Sequence, residues 1–305
     1  MIQRTSLNEH SHWLSITQPT KEDMAELVHN YGVTRELLRY ALDPYEKARV
    51  EIEAEAKVTL FIFDVVLPSH NVSEAETAPI GLMVARKNLL TFTTEKTEFV
   101  NDELSARLAR LKANGKKTSC MDFVIGIMYD FTTAYFTPIR HADGERQRLQ
   151  RNLQKNMDRS AITSLMEIET GLVYILSSIT GNISLLQEFK HRLRNILTDE
   201  QKENLDDVIV EAQQGLEMAQ ISSTLAQRVS SAYSKVLDSN LNETMRFLTV
   251  YSIILAIPPI VSGFYGENVK LPGADLEWAW QLTIVITLIL IALSIWVIFN
   301  KHNWK

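Results

Sequence analysis

Between Asn242 and Asn268, small and oxygen-bearing residues recur at spacings of three and four. Asn242, Met245, Thr249, Ser252, Ala256, Pro259, Gly263 and Gly266 share one helix face, because a turn takes about 3.6 residues. Phe247, Val250, Ile254 and Val261 fall largely elsewhere. The stretch closes on Tyr265-Gly266-Glu267-Asn268. Uncharged oxygens are hard ligands suited to Mg2+ and to the water shell this ion sheds reluctantly. A filter that hydrogen-bonds the hydrated ion costs less than one that strips it. Soft-metal capture would want Cys or His in the path, and the stripe has neither. Small residues in a membrane helix also serve close packing and nothing more. The asparagines at the two ends, Asn242 and Asn268, favour a water-filled axis.

The elements that must position this stripe are two uncharged apolar runs, 247–264 and 282–299, of 18 residues each. At 1.5 Å per helical residue each covers about 27 Å, enough for a bilayer's hydrocarbon core. The second run has no stripe; Thr283, Thr287 and Ser294 read as scattered hydroxyls that bond their own helix carbonyls, and its role is to seal the first helices from lipid. Trp278, Trp280 and Trp304 read as interfacial anchors. Arg246 precedes the first span, and Lys301, His302 and Lys305 follow the second. The loop carries Glu267, Asp275 and Glu277 against Lys270. The positive-inside rule therefore places both termini in the cytoplasm, in a multi-pass protein of the cell membrane.

Everything upstream is too charged for lipid. The net charge of −6 argues against a nucleic-acid surface. One cysteine, Cys120, rules out an internal disulfide and suits a reducing compartment. The first 20 residues contain no apolar run that would read as a signal peptide. Thr20 before Glu22-Asp23, and Thr34 before Arg35-Glu36, read as helix starts. Val50 to Glu55 alternates as a half-buried strand, and Val58 to Leu67 reads as a buried one. Ile80 to Val84 and Leu89 to Thr93 follow across an Arg86-Lys87-Asn88 turn. Strands clustered among helices suggest an α+β layer.

From about Asn101 the pattern is helical. Leu165, Ile168, Leu172, Ile175, Ile179, Ile183 and Leu186 form a packing seam. Thr198-Asp199-Glu200 caps a helix that, unbroken to Phe264, would measure roughly 97 Å. A rod of that length needs neighbours, so an oligomer is expected. Its start is acidic (Asp199, Glu200, Glu203, Asp206, Asp207, Glu211, Glu217) with Lys202 as the opposing cation. This reads either as a solvated face or as a regulatory cation site. Arg146, Arg148, Arg151, Lys155 and Arg159 read either as a soluble face or as a patch near anionic headgroups. The regions expected are 1–120, an α/β domain; 121–241, long helices including the upper stalk; and 242–305, the membrane hairpin with a basic tail.

Asn242-Glu243-Thr244-Met245-Arg246-Phe247-Leu248-Thr249, then Gly263-Phe264-Tyr265-Gly266-Glu267-Asn268, resembles the CorA family of divalent cation transporters. Trp13, Pro19-Thr20, Leu165-Met166-Glu167-Ile168 and the tail ending near Trp304 agree with it. The resemblance implies a funnel-shaped homopentamer: a cytoplasmic α/β domain, a stalk helix continuing into the pore, and an outer ring of second spans. It implies Gly266 and Asn268 as the outer selectivity ring, braced by Tyr265. Asn242 would be the inner polar ring, and Met245 with Leu248 the hydrophobic gate. Mg2+ would be substrate and also regulatory ligand, bridging Asp207, or its neighbour Asp206, to an adjacent subunit. Glu267 departs from the methionine or other apolar residue usual in the family; a carboxylate ring there would concentrate cations, or equally tighten binding and slow release, or shift the preference among divalents. Ala256 and Pro259 stand where relatives commonly carry hydroxyl or bulkier groups, which implies a drier inner pore.

The reading is a potential-driven conductor of hydrated Mg2+, with Co2+ or Ni2+ as further ions, in contact with membrane lipids and needing no organic cofactor. A zinc-transporting branch of the family and a non-conducting membrane-anchored sensor or scaffold are the alternatives. No phosphate loop, nucleophile elbow or zinc-protease pair points to an enzyme.

Overall fold

The computed structural model describes residues 2–69, 75–115, 118–153, 159–267 and 278–300. It falls into two compact units, Met1–Ser231 and Ala232–Lys305. The first is built on a six-stranded sheet of order β1-β2-β6-β5-β4-β3. The strands are β1 (Ile2–Asn8), β2 (Ser11–Thr17), β3 (Arg49–Glu53), β4 (Val58–Val66), β5 (Thr77–Ala85) and β6 (Asn88–Thr93). β2 and β6 pair in parallel and every other neighbouring pair is antiparallel.

Alternation along β4 divides the core in two. Phe61, Phe63 and Val65 pack with Phe123, Met128 and Phe189. Leu60 and Ile62 pack with Leu27, Leu37 and Leu38 of α1 (Lys21–Tyr31) and α2 (Arg35–Leu42). Both helices begin where the threonines place them. Thr20 accepts from the Asp23 amide at 3.2 Å while Asp23 accepts from the Thr20 amide at 3.0 Å, and Thr34 accepts from Leu37 N–H at 3.3 Å. Gly81 lets α2 lie directly on β5: an added Cβ would stand 3.1 Å from that of Ala41 and 3.2 Å from that of Phe92.

The helical half consists of α3 (Phe99–Ala113), α4 (Cys120–Ala134), α5 (Phe136–Leu153), α6 (Arg159–Arg192) and α7 (Asp199–Tyr265), followed in the second unit by α8 (Ala279–Asn300). The seam on α6 is buried as its spacing predicts, except that Ile183 is only partly covered. It packs against the sheet at Leu185, Leu186 and Phe189, and against α5 and α7 at Ile168, Leu172, Ile175 and Ile179. By length and composition α6 is apolar enough to cross a membrane, as are α7 and α8. Burial separates it from them, since its seam belongs to the soluble core. α7 opens on a Thr198/Gln201 box, with the Gln201 amide donating to Thr198 Oγ1 at 3.2 Å and the reverse bond at 3.1 Å. Leu205, Val208, Ala212, Ala219 and Ala226 then bury one face of α7.

β3 ends opposite Ile62, so beyond it one edge of β4 has no strand partner in that register. Asn182 of α6, 2% exposed, supplies one. Its Oδ1 accepts from Asp64 N–H at 2.9 Å and its Nδ2 donates to Asp64 C=O at 2.9 Å. Tyr135 OH donates to the same carbonyl at 2.9 Å. The Asp64 carboxyl is enclosed there, and burial pushes its pKa from 3.8 to about 6 against the opposing pull of a Ser178 hydrogen bond. A carboxyl whose folded pKa is the higher one holds its proton longer in the folded chain. Ionisation therefore costs stability as pH rises from about 4 through about 6, on the order of 2 kcal/mol after discounting for partial exposure. Asp64→Asn should remove that cost while leaving the backbone bridge intact. Thermal unfolding should show the variant a few degrees more stable than wild type at pH 7.5, with the difference gone at pH 4.

Candidate functional site

The second unit presents the stripe on α7 as an uncovered face. Asn242, Met245, Leu248, Thr249, Ser252, Ala256, Pro259, Gly263, Gly266 and Glu267 are all exposed in the single chain. Val250, Ile254, Ile257, Val261 and Tyr265 are half-buried or buried, with Val261 at 6%. At about 100° per residue the two sets centre roughly 160° apart on the helix. Asn268 lies outside the described residues, as do Lys155, Lys270, Asp275, Glu277 and the tail from 301 to 305.

α8 turns a matching face inward. Leu282, Thr283, Ile286, Thr287, Ile291, Ser294 and Ile298 are its half-covered positions. The three hydroxyls read as scattered therefore share one side of the helix, a pattern visible in their spacing of four and seven. Thr283 Oγ1 donates to the Trp280 carbonyl at 2.8 Å and Thr287 Oγ1 to the Thr283 carbonyl at 2.7 Å, the local bonds expected of a hydroxyl in hydrocarbon. Thr249 does the same on α7, donating to Met245 C=O at 2.8 Å and leaving its lone pairs available on the stripe. Pro258, Pro259 and Ser262 of α7 and Thr283, Ile284 and Thr287 of α8 border an open groove of about 460 Å3. Trp278 and Trp280, at the start of the second span, are exposed.

In the first unit the acidic start of α7 divides by partner. Lys190 of α6 holds Asp206 at 2.5 Å, a cation that reading α7 alone left out. Lys202 holds Asp199 at 2.9 Å, which lowers the Asp199 pKa. Glu200, Asn204, Asp207 and Glu211 share another face and line a cleft of about 710 Å3 beside Arg107 and Tyr129. Asp122 also borders it but is engaged as a helix cap and accepts from Gln201 Nε2 at 2.7 Å. Among the described residues no three His, Cys, Asp or Glu side chains converge as a metal cage. The basic run is partly spent within α5: Arg146 is buried on Asp143 and Gln150, and Arg148 pairs with Glu145. That local pairing favours the soluble-face alternative for these two residues.

The chain matches the family described as CorA-like Mg2+ transporter protein over residues 8–301. It is 24% identical over 301 residues to the cobalt/magnesium transport protein CorA of Methanocaldococcus jannaschii, covering 96% of this chain and 90% of that one. The complete structure of the CorA magnesium transporter from the same organism superposes with a TM-score of 0.80 at 22% identity, covering 96% of this chain and 91% of that chain. The cytoplasmic domain of ZntB from Vibrio parahaemolyticus gives a TM-score of 0.61 at 11% identity over 75% of this chain and 88% of that domain. At these identities the structural likeness speaks to fold: an α/β domain, a long helix and C-terminal apolar helices.

The uncovered stripe can be tested by chemistry in situ. Cys120 is 7% exposed, its Sγ lies 3.0 Å from Lys87 C=O, and burial raises its pKa, so it offers a quiet background. A charged, membrane-impermeant thiol reagent should modify Ser252→Cys and Ala256→Cys at least about tenfold faster than Ile254→Cys or Val261→Cys, since thiolate reactivity follows access to water. Equal rates at the four positions would remove the distinction between the faces.

Proposed function

Because the chain belongs to the CorA-like Mg2+ transporter family, whose members are membrane ion transporters and not enzymes, we propose that it conducts hydrated divalent cations, Mg2+ foremost. The observation that carries the reading is the bare stripe, Asn242 to Gly266, opposite the covered face of the same helix. In a homopentamer the five stripes would enclose a wet axis, and the covered faces would turn toward the second spans and lipid. The termini lie on the cytoplasmic side, and the membrane potential drives the ion.

Each residue type has a task on this path. The Glu267 ring raises the local cation concentration at the outer mouth. Gly266 and Asn268 present backbone and amide oxygens to the hydrated ion, with Tyr265 bracing them. Thr249, Ser252 and Asn242 carry the oxygens inward. Met245 and Leu248, 58% and 60% exposed in the single chain, form the apolar constriction that closes by expelling water. Asp207 is the regulatory residue: it faces an open cleft, and a bound cation would join it to an acid of the next subunit. Asp206, tied to Lys190, is the weaker candidate.

Flux into reconstituted vesicles tests this directly. Wild type should pass Mg2+ in proportion to an imposed potential, with Co2+ competing and Zn2+ passing poorly. Asn268→Ala should abolish Mg2+ flux, and equal flux in both proteins would remove Asn268 from the path. A zinc-selective profile would instead favour the zinc-transporting branch. Regulation is separable from conduction. Asp207→Asn should keep conducting at internal Mg2+ concentrations that shut the wild type, whereas Asp206→Asn should close as wild type does.

A further inference from the structure

Pro258 and Pro259 sit inside α7 with helix continuing on both sides. A proline has no N–H, so the carbonyls four residues earlier, at Ile254 and Leu255, lose their helical donors. The pyrrolidine ring also clashes with that carbonyl, which tilts it off the axis on the proline's own side. In hydrocarbon a carbonyl in this position needs another partner.

The two oxygens emerge in different directions. A helix carbonyl points along the axis toward residue i+4, so that of Leu255 opens beneath Pro259 and that of Ile254 beneath Pro258. Pro259 belongs to the stripe with Ala256 and Gly263; Pro258 lies about 100° away, toward the covered face. Leu255 is itself 54% exposed, whereas Ile254 is half-covered. The hydroxyls lining the neighbouring groove donate elsewhere, Ser262 to Pro259 C=O at 3.3 Å and both threonines within α8.

The stripe has a gap at the same height. From Ser252 to Gly266 no stripe side chain carries an oxygen, since Ala256, Pro259 and Gly263 have none. That is about 21 Å of path at 1.5 Å per residue. We propose that the Leu255 carbonyl, released by Pro259, faces the path as an oxygen ring about a third of the way along this gap from Ser252, accepting hydrogen bonds from the water shell of the passing cation. Proline at a stripe position thus supplies through the backbone the oxygen that its own side chain lacks. This inference rests on the conduction path proposed above.

Vesicle Mg2+ flux in three variants, each checked for intact oligomer, tests it. Pro259→Ala restores the N–H and recloses the Leu255 carbonyl, and should lower flux roughly five- to tenfold, the scale of one hydrogen bond on a barrier. Pro258→Ala, which recloses only Ile254, should stay within about twofold of wild type on the same scale. Pro259→Ser straightens the helix as alanine does but returns a hydroxyl to the stripe, and should recover most of the flux. Wild-type flux in Pro259→Ala would overturn the inference. So would a Pro259→Ser defect equal to that of alanine, or an equal loss in Pro258→Ala, because both would assign the effect to the bend. The path itself fails on a different result, indifference of flux to Asn268→Ala; loss in Asn268→Ala with none in Pro259→Ala sinks only the carbonyl ring.

Discussion

One helix, Asp199–Tyr265, must satisfy two solvents with a single periodicity. In the first unit water covers its acids while Leu205, Val208, Ala212, Ala219 and Ala226 face protein, so burial drives the packing. In the second unit the surroundings are apolar, and burying a leucine gains little over leaving it in lipid. There the side chains sort by a different rule. Val250, Ile254, Ile257, Val261 and Tyr265 are covered, while the small and oxygen-bearing stripe is left bare together with flanking apolar groups such as Phe247, Leu255 and Ile260. The switch comes without a break in the backbone, because a helix satisfies its own amides in either medium.

The small residues on α7 have different tasks along its length. Ala212, Ala219 and Ala226 are buried in the first unit, and a Cβ at Gly215 would make ordinary contacts there, 3.6 Å from Ile179 and 3.8 Å from Phe136. At Gly263 an added Cβ would meet nothing within 4 Å. Among the described residues that glycine meets no packing partner.

Several elements were legible because their signal is local. The threonine caps, the β4–β6 strands, the α6 seam and the second span all follow from short-range pattern, and the structure has them within a few residues. β1 and β2 were not legible. β1 is an exposed strand, Ile2-Gln3-Arg4-Thr5-Ser6-Leu7-Asn8, with a single buried side chain, so no alternation marks it. β2 is buried nearly throughout and includes Ser11 and Ser15, polar residues that a pattern reading assigns to solvent. What holds it is long-range: Trp13 Nε1–H donates to Thr91 Oγ1 at 3.0 Å within the parallel pairing to β6. The Lys190–Asp206 pair escaped for the same reason, since it joins two helices across a turn that leaves no mark on either one.

Sequence alone determined the two apolar helices of membrane length, the helix face that carries the oxygens and the family, because hydropathy length, helical period and a contiguous motif are properties of neighbours along the chain. Tertiary structure decided which carboxylates at the top of α7 remain available, which apolar long helix is core rather than membrane, and that Asn182 completes the edge of β4. Those outcomes depend on which groups meet across 15 or more residues of intervening chain, and an ion pair or a buried amide is stable only where packing brings its partner within about 3 Å.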